Sequence, residues 1–336
     1  MPEPTLDDIE QFRRMVNGYQ LTQAIHVAAR LRLADLLAGG PRTSDDLAAE
    51  TKTHPPSLYR LMRALAAQHI FDEQPGRAFA LTGMGQLLRS DHDPSLQGWA
   101  AFVGSSTHWR GWGHLLHGVQ TGQSGVEHEV GMSTWEWRSQ HPEENALFNA
   151  AMTSNSRMST PVLVSAFDWG KFARIADIAG GHGAMLAAIL KRFPNTRGIL
   201  FDMPHVVDGA PALLQSEGVA GRVDIAPGSM FESVPEADAY ILKYILHDWY
   251  DDKSADILRT IRTAAPPDAR LLVIERVIEG PNEGVPGKMS DLNMLIAAGG
   301  RERTIDEFTA LFASTGWSFV KAHPAFPHYI IEAAAV

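Results

Sequence analysis

Over residues 6–38 apolar side chains recur every three or four positions (Leu6, Ile9, Phe12, Val16, Tyr19, Ile25, Ala29), and only Gly18 interrupts the pattern. That period predicts amphipathic helix at the head of the chain. Thr43-Ser44-Asp45-Asp46-Leu47 carries a helix-start signal, and Pro55-Pro56-Ser57-Leu58 opens another helix, running to Leu65, after a proline stop. Two short strands around Pro75-Gly76 follow within residues 71–81. Helices capped by a small hairpin predict a winged helix-turn-helix. Helical pattern rich in Trp and His then continues from Trp99 through Trp137 to Met158.

Beyond this the period changes. Apolar runs of strand length occupy residues 174–179, 198–202, 222–226, 239–244, 270–277, 317–322 and 329–333, and helix-length segments separate most of them. Strands alternating with helices predict an α/β fold with a doubly wound sheet. The boundary is placed near Asp168. Residues 1–167 form a mostly helical winged-helix domain, and residues 168–336 the α/β domain.

Composition narrows the function. With 336 residues, 45% apolar and 20% charged side chains, the chain has the make-up of an ordinary globular protein of about two domains. Its net charge of −10 repels nucleic acid and anionic membranes. The absence of cysteine excludes disulfides, thiolate metal sites and a cysteine nucleophile. The acidic start Met1-Pro2-Glu3-Pro4-Thr5-Leu6-Asp7-Asp8 has no basic, then apolar, leader, and no apolar run approaches a membrane span of about 20 residues. A cytoplasmic enzyme with a small-molecule partner is expected, without membrane or nucleic acid.

The chemistry concentrates at one strand-to-helix turn. Asp177-Ile178-Ala179-Gly180-Gly181-His182-Gly183 lets backbone approach a ligand and aims helix N–H groups at it. A dinucleotide fingerprint starting at Gly181 requires glycine where Leu186 stands, and no Walker motif occurs. The next strand ends in Phe201-Asp202-Met203, an acid about 20 residues on, suited to a ribose diol. An adenosine without pyrophosphate fits best. Fourteen histidines show no metal-binding spacing, and no metal is expected.

With the later blocks Gly228-Ser229-Met230-Phe231, Lys243-Tyr244-Ile245-Leu246-His247-Asp248-Trp249 and Gly300-Arg301-Glu302-Arg303-Thr304, the chain resembles small-molecule O-methyltransferases related to caffeate and hydroxyindole O-methyltransferases. The resemblance spans nearly the whole chain. It implies a class I methyltransferase Rossmann-like domain behind a dimerisation domain, a homodimer, and S-adenosyl-L-methionine as donor with S-adenosyl-L-homocysteine as product. It further implies that Asp177, Ala179, Gly180 and Gly181 wrap the methionine end and that Asp202 holds the ribose. Met203, Gly228, Ser229 and Met230 flank the adenine, Lys243 and Tyr244 close the sulfonium side, and Ser156 meets the methionine moiety. His247 is the general base, flanked by Glu275 and Glu302. Trp109, Phe148, Met152, Asp248, Met294 and Ala298 line the slot for a planar aromatic acceptor, of phenazine or polyketide type, in secondary metabolism such as antibiotic biosynthesis. Two positions depart from the family pattern: Ser229 replaces an aspartate, and Ala179 a glycine.

A histidine is chemically apt for this step. A phenol near pKa 10 is not ionised at neutral pH, so a positioned base must take its proton. Simpler roles compete for several of these residues. Asp248 reads first as the N-cap of the following helix, Arg276, Arg301 and Arg303 as partners of nearby acids, and the aromatic and Met positions as core. Two rival functions fit the same architecture: a non-methylating relative (decarboxylase, hydroxylase or pericyclase) and a DNA-binding regulator. Against the regulator, residues 40–90 hold six basic and five acidic side chains, a net of +1, where a DNA reader shows a basic face. The intact His247, Glu275 and Glu302 favour methyl transfer.

Overall fold

The structure, a computed structural model, describes residues 3–336. The chain packs into two compact units. One comprises the chain up to Arg110 together with Trp135–Met158, the other Gly111–Thr134 together with Ser159–Val336. In packing terms the division is therefore not a single cut near Asp168. Residues 111–134 go with the second unit because they are hydrogen-bonded into it: Ser124 Oγ donates to the Ile296 carbonyl at 2.9 Å and Thr134 Oγ1 to that of Ala297 at 2.5 Å.

The first unit opens with helices Leu6–Val16 and Gly18–Arg30. The periodic stretch ends there because Arg32 turns left-handed, at φ 53°. Thr43 caps helix Ser44–Thr51 by accepting from the Asp46 amide at 3.1 Å. Helix Pro55–Ala66 follows. Strands β1 (Arg42–Thr43), β2 (Phe71–Gln74) and β3 (Ala78–Leu81) form a small antiparallel sheet in the order β1-β3-β2. Leu47, Leu58, Leu65 and Ile70 are buried with Met62, Phe71 and Phe79 in this unit's core. Helix Leu6–Val16 buries none of its residues, and leaves Leu6, Phe12 and Met15 exposed.

The second unit is built on a seven-stranded sheet of β4 (Arg174–Ile178), β5 (Arg197–Asp202), β6 (Val223–Pro227), β7 (Ala239–Lys243), β8 (Arg270–Glu275), β9 (Trp317–Ala325) and β10 (His328–Ala335). Its order is β6-β5-β4-β7-β8-β10-β9, parallel except for β9 and β10. Every expected strand is present. Period-two alternation feeds two separate cores. Ile175, Leu200, Ile241 and Leu272 point into one, and Ala176, Ile199, Tyr240 and Val273 into the other. The chain leaves β4 for β5 on one side and returns to β7 on the other. That reversal is where open α/β sheets bind ligands, at the carboxyl ends of the strands. No helix among the described residues is long and apolar enough to cross a membrane.

Candidate active site

Five strands, β4 to β8, deliver side chains to this edge. Beyond β4 the backbone coils through three left-handed residues, Ala179 (φ 55°), Gly181 (φ 61°) and Gly183 (φ 84°), into helix Ala184–Arg192. Gly180 must be glycine, since a Cβ there would lie 2.7 Å from both the Asp177 carboxyl and Leu200. Ala179 instead holds a Cβ in a conformation that costs about 1 kcal/mol. Ala179→Gly is accordingly expected to raise stability by about 0.5–1 kcal/mol in urea unfolding; a lower midpoint would show that the turn carries no such strain.

Two carboxylates underlie the turn. Asp202 accepts from the Gly181 amide at 2.8 Å and the Met203 amide at 2.7 Å, which leaves about two of its four acceptor positions for a ligand. Asp177 is 2% exposed, and its Oδ2 has no hydrogen-bond partner. Burial pushes its pKa up to about 7 against the pull of Lys243, while Asp202 adds to the rise. The Lys243 ammonium is pushed down to about 8 by burial, against the pull of Asp177. A buried carboxylate with an idle oxygen suits a cationic ligand group. On the neighbouring strands the Gly228 amide donates to the Asp202 carbonyl at 3.0 Å, and Ser229 Oγ accepts from the Phe231 amide at 3.3 Å. This sets Gly228 beside Asp202 at the ends of β6 and β5.

The second cluster follows β7. A short turn, Leu246–Asp248, carries His247. Its backbone amide donates to Glu275 Oε1 at 3.0 Å, and its Nδ1 lies 3.2 Å from Glu302 Oε1. Ser290 Oγ donates to that same oxygen at 2.7 Å. Glu275 and Glu302 are buried, whereas 15% of the His247 side chain reaches the surface. Burial by itself lowers the imidazole pKa, but Glu302 and then Glu275 overcome it and push the value up to about 10. Burial raises Glu275, with His247 opposing; for Glu302 the imidazole outweighs burial and the carboxyl is lowered. Among the described residues this is also the one group of three potential metal ligands, with atoms within 4.8 Å of one another.

The block after helix Val285–Ala297 supplies the rest of the frame, and Arg301 and Arg303 pair with nearby acids as expected. The Arg301 amide donates to the His247 carbonyl at 2.9 Å, and Gly300 permits the approach, since a Cβ there would run into that carbonyl. Arg303, fully buried, donates to the Leu246 and Trp249 carbonyls at 3.0 and 2.9 Å and pairs with Asp251. Arg301 pairs with Glu307. The block Gly300-Arg301-Glu302-Arg303-Thr304 marked this frame; nothing local in the sequence marked Ser290.

The N-cap assignment of Asp248 is corrected. The helix is Asp251–Ala264, its N-cap is Tyr250, and no side chain caps it. Arg303 holds the Trp249 carbonyl, and residues 249 and 250 run extended before the helix begins. Asp248 sits instead with Oδ1 3.7 Å from His247 Nε2. Met294 and Ala298 lie at the carboxyl end of helix Val285–Ala297, where the Met294 carbonyl accepts from the amides of Ala298 and Gly300. Trp109, Phe148, Met152 and Ser156 belong to the first unit, the last three at four-residue steps on helix Pro142–Ser165.

Comparison with known proteins identifies the family. Residues 112–318 match the O-methyltransferase domain and residues 14–91 the O-methyltransferase dimerisation domain. The chain is 39% identical over 312 residues to the phenazine O-methyltransferase PhzM of Lysobacter antibioticus, covering 93% of this chain and 91% of that protein. The crystal structure of LaPhzM superposes with a TM-score of 0.94 at 38% identity, over 99% of this chain and 100% of that one. A third is NcsB1, an O-methyltransferase from neocarzinostatin biosynthesis solved with S-adenosylmethionine and 2-hydroxy-5-methyl naphthoic acid. It matches with a TM-score of 0.81 and 32% identity over 94% of this chain and 96% of that one.

Proposed function

The chain belongs to the O-methyltransferase family, and from that premise we propose that it methylates a hydroxyl of a planar aromatic or heteroaromatic secondary metabolite, of phenazine or polyketide type, with His247 as general base. The observation that carries this reading is a partly open imidazole backed by two buried carboxylates at the ligand-binding edge of the sheet. The donor is S-adenosyl-L-methionine, which relatives bind, and the working form is a homodimer, in keeping with the dimerisation domain.

The residues at the edge fit that donor. The two unspent acceptor positions of Asp202 suit a ribose diol, and the idle oxygen of Asp177 suits the ammonium of an amino acid. Ala179, Gly180 and Gly181 supply the close backbone, Met203, Gly228, Ser229 and Met230 flank the base, and Lys243 and Tyr244 complete the methionine end. Asp248, Met294 and Ala298 are assigned to the acceptor.

Bound there, the donor supplies a methyl group already activated by a sulfonium, so the protein has to align the acceptor oxygen and take its proton. The oxygen–methyl bond forms as the carbon–sulfur bond breaks, and the hydroxyl proton ends on His247. An imidazole held near 10 matches a phenol near 10, so the reactive pair is imidazolium beside phenolate. Reaching it from imidazolium enzyme and neutral phenol requires the loss of one proton to solvent. Turnover at limiting acceptor is thus expected to rise roughly tenfold per pH unit between about 7 and 9; a flat profile would overturn the base assignment. In Glu302→Gln the imidazole loses the charge that raises it, so the rise moves to lower pH while the maximum falls.

The reading is tested by mass spectrometry after incubation with the donor and a panel of naphthols, anthraquinones and hydroxyphenazines. One added methyl on a ring hydroxyl supports it. A panel left unmethylated with the donor unconsumed shifts weight to a decarboxylase, hydroxylase or pericyclase on the same fold.

A further inference from the structure

At the carboxyl end of β7 the backbone makes a left-handed turn without a glycine: Tyr244 sits at φ 60°. A bulky side chain keeps that conformation only where its surroundings over-determine it. Three contacts do so here. The Tyr244 amide donates to the Ile274 carbonyl at 3.1 Å, its hydroxyl lies 3.0 Å from Nε2 of His328 at the head of β10, and Ser159 hydrogen-bonds to the same hydroxyl.

Both partners of the hydroxyl contact are neutral. Burial pushes the Tyr244 phenol up to about 12, so it keeps its proton. Burial, then Arg276 and Lys243, push His328 down to about 3 although Glu302 opposes them, so the ring is neutral. A neutral His328 accepts the Tyr244 hydroxyl at Nε2 only when its own hydrogen is on Nδ1, and Ser159 is then left to donate to the phenol oxygen. Nδ1 itself is buried without a hydrogen-bond partner.

The pinned ring faces the reaction centre. The His247 imidazole runs nearly parallel to it, at 6.0 Å between centroids and 16° between planes, and the Lys243 ammonium lies 4.3 Å from its centroid. We propose that His328 is a positioning residue for methyl transfer: by accepting the Tyr244 hydroxyl it fixes the left-handed turn after β7, and with it the orientation of the His247 imidazole toward the acceptor. No sequence signal near residue 328 points to this, because the pair joins residues 84 apart.

The inference rests on the methyltransferase reading, and its test separates the two. His328→Phe removes the acceptor at similar bulk, His328→Gln restores one, and Tyr244→Phe removes the donor. His328→Phe is expected to lower kcat about tenfold with the acceptor KM within about twofold, as for a misaligned base, and His328→Gln to recover most of the loss. Because Tyr244→Phe removes the shared bond together with the Ser159 contact, the double variant should be no slower than Tyr244→Phe alone. Wild-type kcat in His328→Phe, or losses that multiply in the double variant, would overturn the proposal. Nitrogen NMR of the wild-type protein without ligands reads the pair independently of activity. A neutral His328 protonated on Nδ1, and altered in Tyr244→Phe, is expected even if no acceptor is methylated; hydrogen on Nε2 would defeat the proposal by itself.

Discussion

Replacing His247 with alanine is expected to lower methyl transfer about 100-fold or more, roughly 2.7 kcal/mol of barrier, while donor affinity stays within about twofold. The split follows from position. His247 stands on the turn after β7, whereas Asp202, the carboxylate proposed to hold the ribose, ends β5. The loss should also depend on the acceptor. A phenol already ionised at the assay pH has no proton to give up, so the variant should recover most of its rate on such a substrate. Part of the deficit is structural, since Glu302 loses the imidazole and keeps the Ser290 hydroxyl as a donor; the ionised acceptor measures that part. Wild-type turnover on a phenol that is not pre-ionised would remove His247 from the mechanism.

Asp202→Ala should do the reverse. Two charge-assisted hydrogen bonds to a ribose diol, each worth about 1.5–3 kcal/mol, imply a loss of at least about 100-fold in donor affinity, with kcat at saturation little altered. The substitution also frees the Gly181 and Met203 amides that the carboxylate now holds. Asp202→Asn, which keeps one acceptor oxygen, should fall between the two. Calorimetry that finds unaltered donor binding in Asp202→Ala would show that the ribose is held elsewhere.

The sheet was legible because buried parallel strands read as short apolar runs, and residues 239–244 and 270–277 end within two residues of the observed β7 and β8. The ends of those strands were legible for a different reason: Asp177, Asp202, His247 and Glu275 are polar residues at the boundary of apolar runs. What sequence could not convey is pairing over distance. Asp248 has the chemistry of an N-cap, but a guanidinium 55 residues further on fixes the intervening carbonyls and delays the helix to Asp251. Local propensity loses to that buried clamp. Residues 111–134 look like a continuation of the helical first half, yet Ser124 and Thr134 bond to carbonyls near residue 296. The Tyr244–His328 contact likewise leaves no periodic trace.

Helix Leu6–Val16 has a bearing on how the enzyme behaves in a tube. It leaves Leu6, Phe12 and Met15 between 67% and 83% exposed, an apolar stripe that water tolerates poorly. If a second chain covers it, the folded state gains free energy from association, and that gain scales with the logarithm of protein concentration. Melting temperature and specific activity then become functions of dilution, and values measured at nanomolar and at micromolar enzyme describe two different molecules.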